Sequence, residues 1–209
     1  MKFVHIIKKV NNTELGKGGT HETYVLVPQE LDVSDFFEEL ERKYQFVDKS
    51  TNKVHELRLT SGREKRIVGL GPFYREHNVC AGDEMLFEKR VDDSGSCDFF
   101  VSVKQFANTV VFQKKKRGFA VLTPDRLDIM LNKELSDVDG GDFSIIYLGE
   151  FKMREDSPEL TKIYDIIFNE SHLSSKYTNN QMLELVCNNG IVEIRPFCPW
   201  KKYVIGVNN

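Results

Sequence analysis

The chain has 209 residues, with 29 Lys+Arg against 32 Asp+Glu for a formal net charge of −3, and is 40% hydrophobic and 29% charged. These are proportions of a globular protein long enough to bury a core without disulfides or metals, and they exclude a disordered chain, a collagen-like fibre and a disulfide-stapled mini-protein. The near-neutral balance argues against a surface that is basic all over, while leaving room for a local basic patch that meets nucleic acid.

In chain order, residues 1–10 read as a strand through Phe3, Val4, Ile6 and Ile7; the apolar run is too short for a signal peptide and no small-residue cleavage site follows. Residues 11–22 (NNTELGKGGTHE) form a polar, glycine-rich loop. Thr23 to Val27 are β formers, and Pro28 stops them. Ser34 as N-cap, Asp35 in a first turn, and Phe36, Phe37, Leu40 and Tyr44 at helical spacing predict a helix. The β pattern returns with Val54, Leu57 and Leu59, turns at Ser61-Gly62 and resumes over Arg63 to Val68. A short helix is predicted over 72–80, a turn at Ala81-Gly82-Asp83, a strand over 84–89, a polar turn over 92–98, and strands over 99–103 and 109–112. Many short strands at regular spacing favour a barrel or sandwich over a βαβ fold.

The second half changes character. A basic run, Lys114 to Arg117, precedes a predicted helix over 124–133, a break at Gly140-Gly141, a strand over 144–148 and a helix over 160–168. Residues 182–187 and 191–194 form a hairpin around Asn188-Asn189-Gly190, the strongest short hairpin signal in the chain. With no long linker, the expectation is a core over 1–118 and a C-terminal α/β extension over 119–209 packed on the same domain.

No stretch approaches the roughly 18 apolar residues that span a bilayer, so no membrane partner is expected. Cys80, Cys97, Cys187 and Cys198 are too scattered for zinc or redox pairs, which suits free thiols in a reducing cytoplasm. The five histidines show no HExxH spacing, and Gly16, Gly18 and Gly19 lack the ending of a P-loop.

Two polar loops carry the residue types that read base edges and phosphates. The first holds Asn11, Asn12, Lys17, Gly18, Gly19, Thr20, His21 and Glu22; the bland alternative is a flexible hairpin loop. The second holds Arg63, Glu64, Lys65 and Arg66 with Arg58 just upstream; the bland alternative is a solvated charged turn. Lys114 to Arg117 read as a solvated face, or else as a phosphate contact. A catalytic alternative also exists. Asp142 with the E-x-K triplet Glu150-Phe151-Lys152 matches the carboxylates and lysine with which many nucleases hold a divalent cation and position water.

Residues 10–28 (VNNTELGKGGTHETYVLVP), with Gly18, Gly19, His21, Val27 and Pro28, resemble the glycine-rich segment of the N-terminal effector-binding domain of EcoRII-type restriction endonucleases. Residues 64–67 (EKRI) match a run of the same family, and Leu86-Phe87 through Asp92, Gly95, Cys97 and Val101 fit its next hairpin. AGDEMLFEK is also similar to the glycine–aspartate turn and strand of plant B-three transcription factor domains, which share the fold. Where the family continues with arginine and tryptophan after EKRI, this chain has Gly69 and Leu70. The resemblance covers residues 1–105.

It implies a mainly β protein with some α: a seven-stranded, open, B-three-like pseudobarrel with flanking helices. Two arms, around 11–22 and 58–66, would enter the major groove of double-stranded DNA at a CCWGG-like site. It implies a type IIE effector domain that binds as a monomer, without catalysis or cofactor of its own. A covalently linked C-terminal nuclease domain would use Mg2+. The DNA-binding residues expected are Asn11, Asn12, Lys17, Thr20, His21 and Glu22 on the first arm, and Arg58, Arg63, Glu64, Lys65 and Arg66 on the second.

Overall fold

Apolar and polar side chains alternate along most of the first hundred residues, and a chain so patterned buries one face by pairing into a curved sheet. The computed structural model describes residues 1–17, 22–116, 119–123, 126, 178–188, 191–198 and 200–207. In chain order its elements are β1 (Lys2–Lys9), β2 (Tyr24–Val27), β3 (Lys43–Asp48), β4 (Val54–Leu59), β5 (Lys65–Val68), α1 (Gly71–Glu76), β6 (Glu84–Val91), β7 (Cys97–Lys104), β8 (Thr109–Lys114), β9 (Phe119–Val121), β10 (Met182–Asn188), β11 (Ile191–Pro196) and β12 (Trp200–Val207). They fall into two compact units, Met1–Gln105 with Cys198–Asn209, and Phe106–Phe197.

The first unit is one mixed sheet in the order β12-β1-β6-β7-β3-β4-β5-β2. Among the described residues of this sheet only the β3–β7 pairing is parallel. Strands β1 to β7 make the expected mainly β, open seven-stranded pseudobarrel, and β12 adds an eighth strand alongside β1, from Lys2↔Val207 to Lys8↔Trp200. The period of two sets the interior: in β4, His55, Leu57 and Leu59 are buried while Val54, Glu56 and Arg58 face out. Ile6, Phe46, Ile67, Met85 and Phe87 enter the same core from their own strands, all of them fully buried. Gly69 ends β5 at φ +98°, and a Cβ there would lie 2.3 Å from the Glu56 carbonyl oxygen. Only glycine lets the chain turn this tightly against β4.

The helix expected from Ser34 to Tyr44 does not form. A single turn closes where the Phe36 and Phe37 amides donate to the Val33 carbonyl, each at 2.9 Å. The chain then bends through Glu41, whose φ of 60° is left-handed, and its amide donates to Leu59 O at 2.8 Å. Tyr44 already belongs to β3, paired with Leu57. The apolar spacing is real, but it serves an aromatic cluster. Phe36 stacks on Phe46 at 6.1 Å and meets Phe99 edge-on at 5.9 Å, and Phe37 meets Tyr44 edge-on at 5.5 Å. Alternating Tyr44, Phe46 and Asp48 face inward only as a strand, and the burial of two rings outweighs weak helix propensity.

The β3–β4 hairpin is closed by Asp48, which is fully buried. Its carboxylate accepts from Ser50 N at 2.9 Å, Ser50 Oγ at 2.8 Å and Thr51 Oγ1 at 2.7 Å, and it meets His77 Nε2 at 2.7 Å. Burial pushes the carboxyl up, but the Thr51, Ser50 and His77 hydrogen bonds outweigh it and hold it well below the usual carboxylate range. A depressed folded value adds stability that is whole above the unfolded pKa, near 3.9, and is lost as pH falls toward the folded value. Asp48→Asn should therefore cost about 1–3 kcal/mol at pH 7, and the gap to wild type should narrow below about pH 4. Urea unfolding at pH 7 and pH 3 measures both.

The second unit is a four-stranded antiparallel sheet in the order β11-β10-β8-β9. Val110, Phe112, Leu183 and Leu185 are buried on one of its faces, and Val111 and Val186 are buried on the other. The expected hairpin of β10 and β11 is present and closes with Asn188 opposite Ile191. The helices expected over 124–133 and 160–168 and the strand over 144–148 lie outside the described residues.

Candidate nucleic-acid interface

The stem of the first loop is built on one buried carboxylate. Asn11 and Glu14 cap each other: the Asn11 amide donates to Glu14 Oε2 and the Glu14 amide to Asn11 Oδ1, both at 3.0 Å. Glu14 Oε1 also accepts from Leu26 N at 2.9 Å and pairs with Lys8 Nζ at 3.0 Å, while Glu14 O accepts from Tyr24 N at 3.0 Å. Strand β1, the start of the loop and strand β2 are thereby tied at one point. Burial pushes the Lys8 ammonium below its ordinary range, against the opposing pull of Glu14. Asn11 is committed to this cap, Asn12 Oδ1 is buried without a hydrogen-bond partner among the described residues, and Lys17 is exposed. Thr20 and His21 lie outside the described residues.

The second loop joins β4 to β5. It closes where Thr60 N donates to Arg66 O at 2.9 Å and Arg66 N to Thr60 Oγ1 at 3.0 Å. Gln29, just past β2, donates from Nε2 to Arg63 O at 3.1 Å. Glu41 braces the other side: its Oε1 accepts from Ser61 N at 2.6 Å and Ser61 Oγ at 2.8 Å, and its Oε2 pairs with Arg58. The Ser61 amide holds the Glu41 carboxyl below the usual carboxylate range.

Between these segments lies an open cleft of about 960 Å³, lined by Glu22, Thr23, Gln29, Arg58, Thr60, Arg63, Glu64, Arg66 and Val68. Sheet register explains its floor. Arg58 pairs with Val68 and Val68 with Tyr24, so Arg58, Val68 and Tyr24 form a row on the outer face, with Arg66 opposite Leu26 beside it. The Arg66 guanidinium lies 4.3 Å from the Tyr24 ring centroid. Its Nη1 meets Glu22 Oε2 at 3.1 Å, and its Nη2 meets Glu64 Oε2 at 2.8 Å. The Glu64 hydrogen bond holds the guanidinium above its ordinary range. Arg63 is exposed and has no ion-pair partner among the described residues.

Of the expected residues, the fold therefore gathers Glu22, Arg58, Arg63, Glu64 and Arg66 into one cleft. Lys65 alternates to the side of buried Ile67, and neither Lys17 nor Asn11 and Asn12 lines the cleft. Reasoning from residue types missed Glu14, Tyr24, Gln29 and Glu41. The Asn11-x-x-Glu14 spacing is a capping signal that was available; the other three are placed by long-range pairing. Lys114, part of the basic run, is buried and donates to Lys115 O at 2.6 Å, while Lys116 is exposed. Asp142, Glu150 and Lys152 of the catalytic alternative lie outside the described residues.

The chain is similar in structure to the Arabidopsis FUS3–DNA complex, with a TM-score of 0.39 and 14% identity over 49% of this chain and 97% of that chain. It is also similar to the N-terminal domain of Helicobacter pylori LlaJI.R1, with a TM-score of 0.36 and 12% identity over 51% of this chain and 83% of that chain. No family model and no curated protein matches the chain.

Proposed function

We propose that this protein recognises double-stranded DNA in a sequence-specific way, with the loops at 11–22 and 58–66 as two major-groove arms. The observation that carries this reading is the cleft in which Arg58, Arg63 and Arg66 converge between the two loops. Arginine forks match guanine O6 and N7 and also phosphate oxygens. The Tyr24 ring beneath the Arg66 guanidinium holds the side chain over the cleft, which favours a bidentate base contact. The resemblance of residues 10–28 and 64–67 to EcoRII-type effector domains supports the finer reading. In it the chain is the DNA-binding module of a type II restriction endonuclease, reads a short, nearly palindromic CCWGG-like site as a monomer, and is joined to a nuclease domain that uses Mg2+.

Selection from a random duplex library tests the proposal and reports the site. A common motif of a few base pairs should emerge, with affinity falling as salt rises in proportion to the phosphates contacted. Recovery of no motif and no salt-dependent binding would refute it.

A further inference from the structure

The cleft carries arginines, yet it is not a cationic surface. Arg58 is paired with Glu41, and Arg66 is held by Glu22 from the first arm and Glu64 from the second. Two of the three arginines are held by three carboxylates, and Arg63 alone points out without an ion-pair partner among the described residues. A groove evolved only to attract phosphates would not spend carboxylates on its own cations, because each one repels the DNA backbone. From this geometry we infer that Glu22 and Glu64 are specificity-determining residues: they occupy the two edges of the Arg66 fork and surrender it only to a ligand that replaces both. This rests on the DNA-binding reading of the same cleft.

The chemistry follows from the fork. Arg66 offers Nη1 to one carboxylate and Nη2 to the other, so both outer donors are engaged. A phosphate can also take both donors through two of its oxygens, but it sets a new negative charge beside the two displaced carboxylates. Guanine presents two neutral acceptors, N7 and O6, which satisfy the fork without that repulsion. Glu22 and Glu64 are themselves exposed, 74% and 58%, so once released they rehydrate. Exposed pairs of this kind hold weakly and exchange readily. The Glu22–Arg66 pair also bridges the two arms, so exchange for a base edge frees the first arm from the second as the complex forms.

Carboxylates used in this way lower non-specific affinity more than specific affinity. Glu22→Gln, Glu64→Gln and the double variant keep side-chain size on exposed positions and preserve the fold, which circular dichroism checks. Affinity is measured for the library-selected duplex and for a scrambled duplex of equal length, from 50 to 300 mM salt. The double variant should bind the scrambled duplex at least about tenfold tighter, with a steeper salt dependence, while affinity for the selected duplex changes about threefold or less. The ratio between the two duplexes therefore falls. A double variant that keeps the wild-type ratio, or that weakens on both duplexes, overturns the inference while leaving DNA binding in place. Wild type that binds neither duplex overturns the DNA reading and this inference together.

Discussion

Arg66→Ala should weaken binding to the selected duplex by about 1–3 kcal/mol, roughly 5- to 150-fold, and should relax preference at one base pair. The magnitude follows from the position. Arg66 sits on the outer face of β5, opposite Leu26, with its guanidinium over the Tyr24 ring and its two outer nitrogens on Glu22 and Glu64. A guanidinium already packed on a ring loses less rotamer freedom on binding, so a bidentate contact keeps part of its strength after Glu22 and Glu64 are exchanged. Arg63 provides the contrast. It is exposed at the loop tip, held to Gln29 only through its backbone carbonyl. Arg63→Ala should behave as the loss of a phosphate contact, lowering affinity for every duplex alike and reducing the salt slope by about one. Isothermal titration with the selected duplex and its single-base variants separates the two behaviours. Undiminished affinity and unchanged base preference in Arg66→Ala would remove the central contact of the proposed interface.

Most of the barrel is written in local pattern. Strands β1, β2 and β4 to β7 announce themselves through alternating apolar residues and through punctuation by Pro28, Ser61-Gly62, Gly82 and the 92–98 turn. The segment from Ser34 to Tyr44 misleads because Phe36, Phe37, Leu40 and Tyr44 fit a helical period. What decides their conformation is distant: Phe46, Phe99 and the Leu59 carbonyl that receives Glu41. Strand β12 has apolar residues but no local mark of its partner, and pairing with β1 spans nearly the whole chain. The site divides the same way. Residue types pick out Arg58, Arg63, Glu64, Arg66 and Glu22. The Tyr24 platform, the Glu41 brace and the two-sided capture of Arg66 appear only once β2 lies beside β5 and the Glu41 bend beside the β4–β5 loop.

Glu14→Ala should be the most damaging single substitution outside the aromatic core, costing about 3–5 kcal/mol of stability. Glu14 and Lys8 are 1% and 2% exposed, so neither charge is answered by water. Removing the carboxylate takes the counter-charge from a buried ammonium and leaves the Asn11 and Leu26 amides without the acceptor they use. Glu14→Gln should cost less, since one amide oxygen still accepts from a backbone N–H. Pairing Glu14→Gln with Lys8→Met should restore part of the loss, because no charge then remains buried in the pair and the side-chain volumes are nearly kept. The two changes should therefore couple by more than about 1 kcal/mol in a double-mutant cycle followed by urea unfolding. The arm gives a second readout. Glu14 ties Asn11 at the start of the first loop and Leu26 at its return, so in Glu14→Gln the amides of residues 11–17 should exchange hydrogen faster while those of β3 and β7 stay protected. An anchor that positions the arm must also act on the cleft, through Glu22 at the end of the same loop. Under conditions where Glu14→Gln remains folded, its affinity for the selected duplex should still fall several-fold. A variant with wild-type stability, or a loosened arm with unchanged affinity, would separate the Glu14 anchor from the interface.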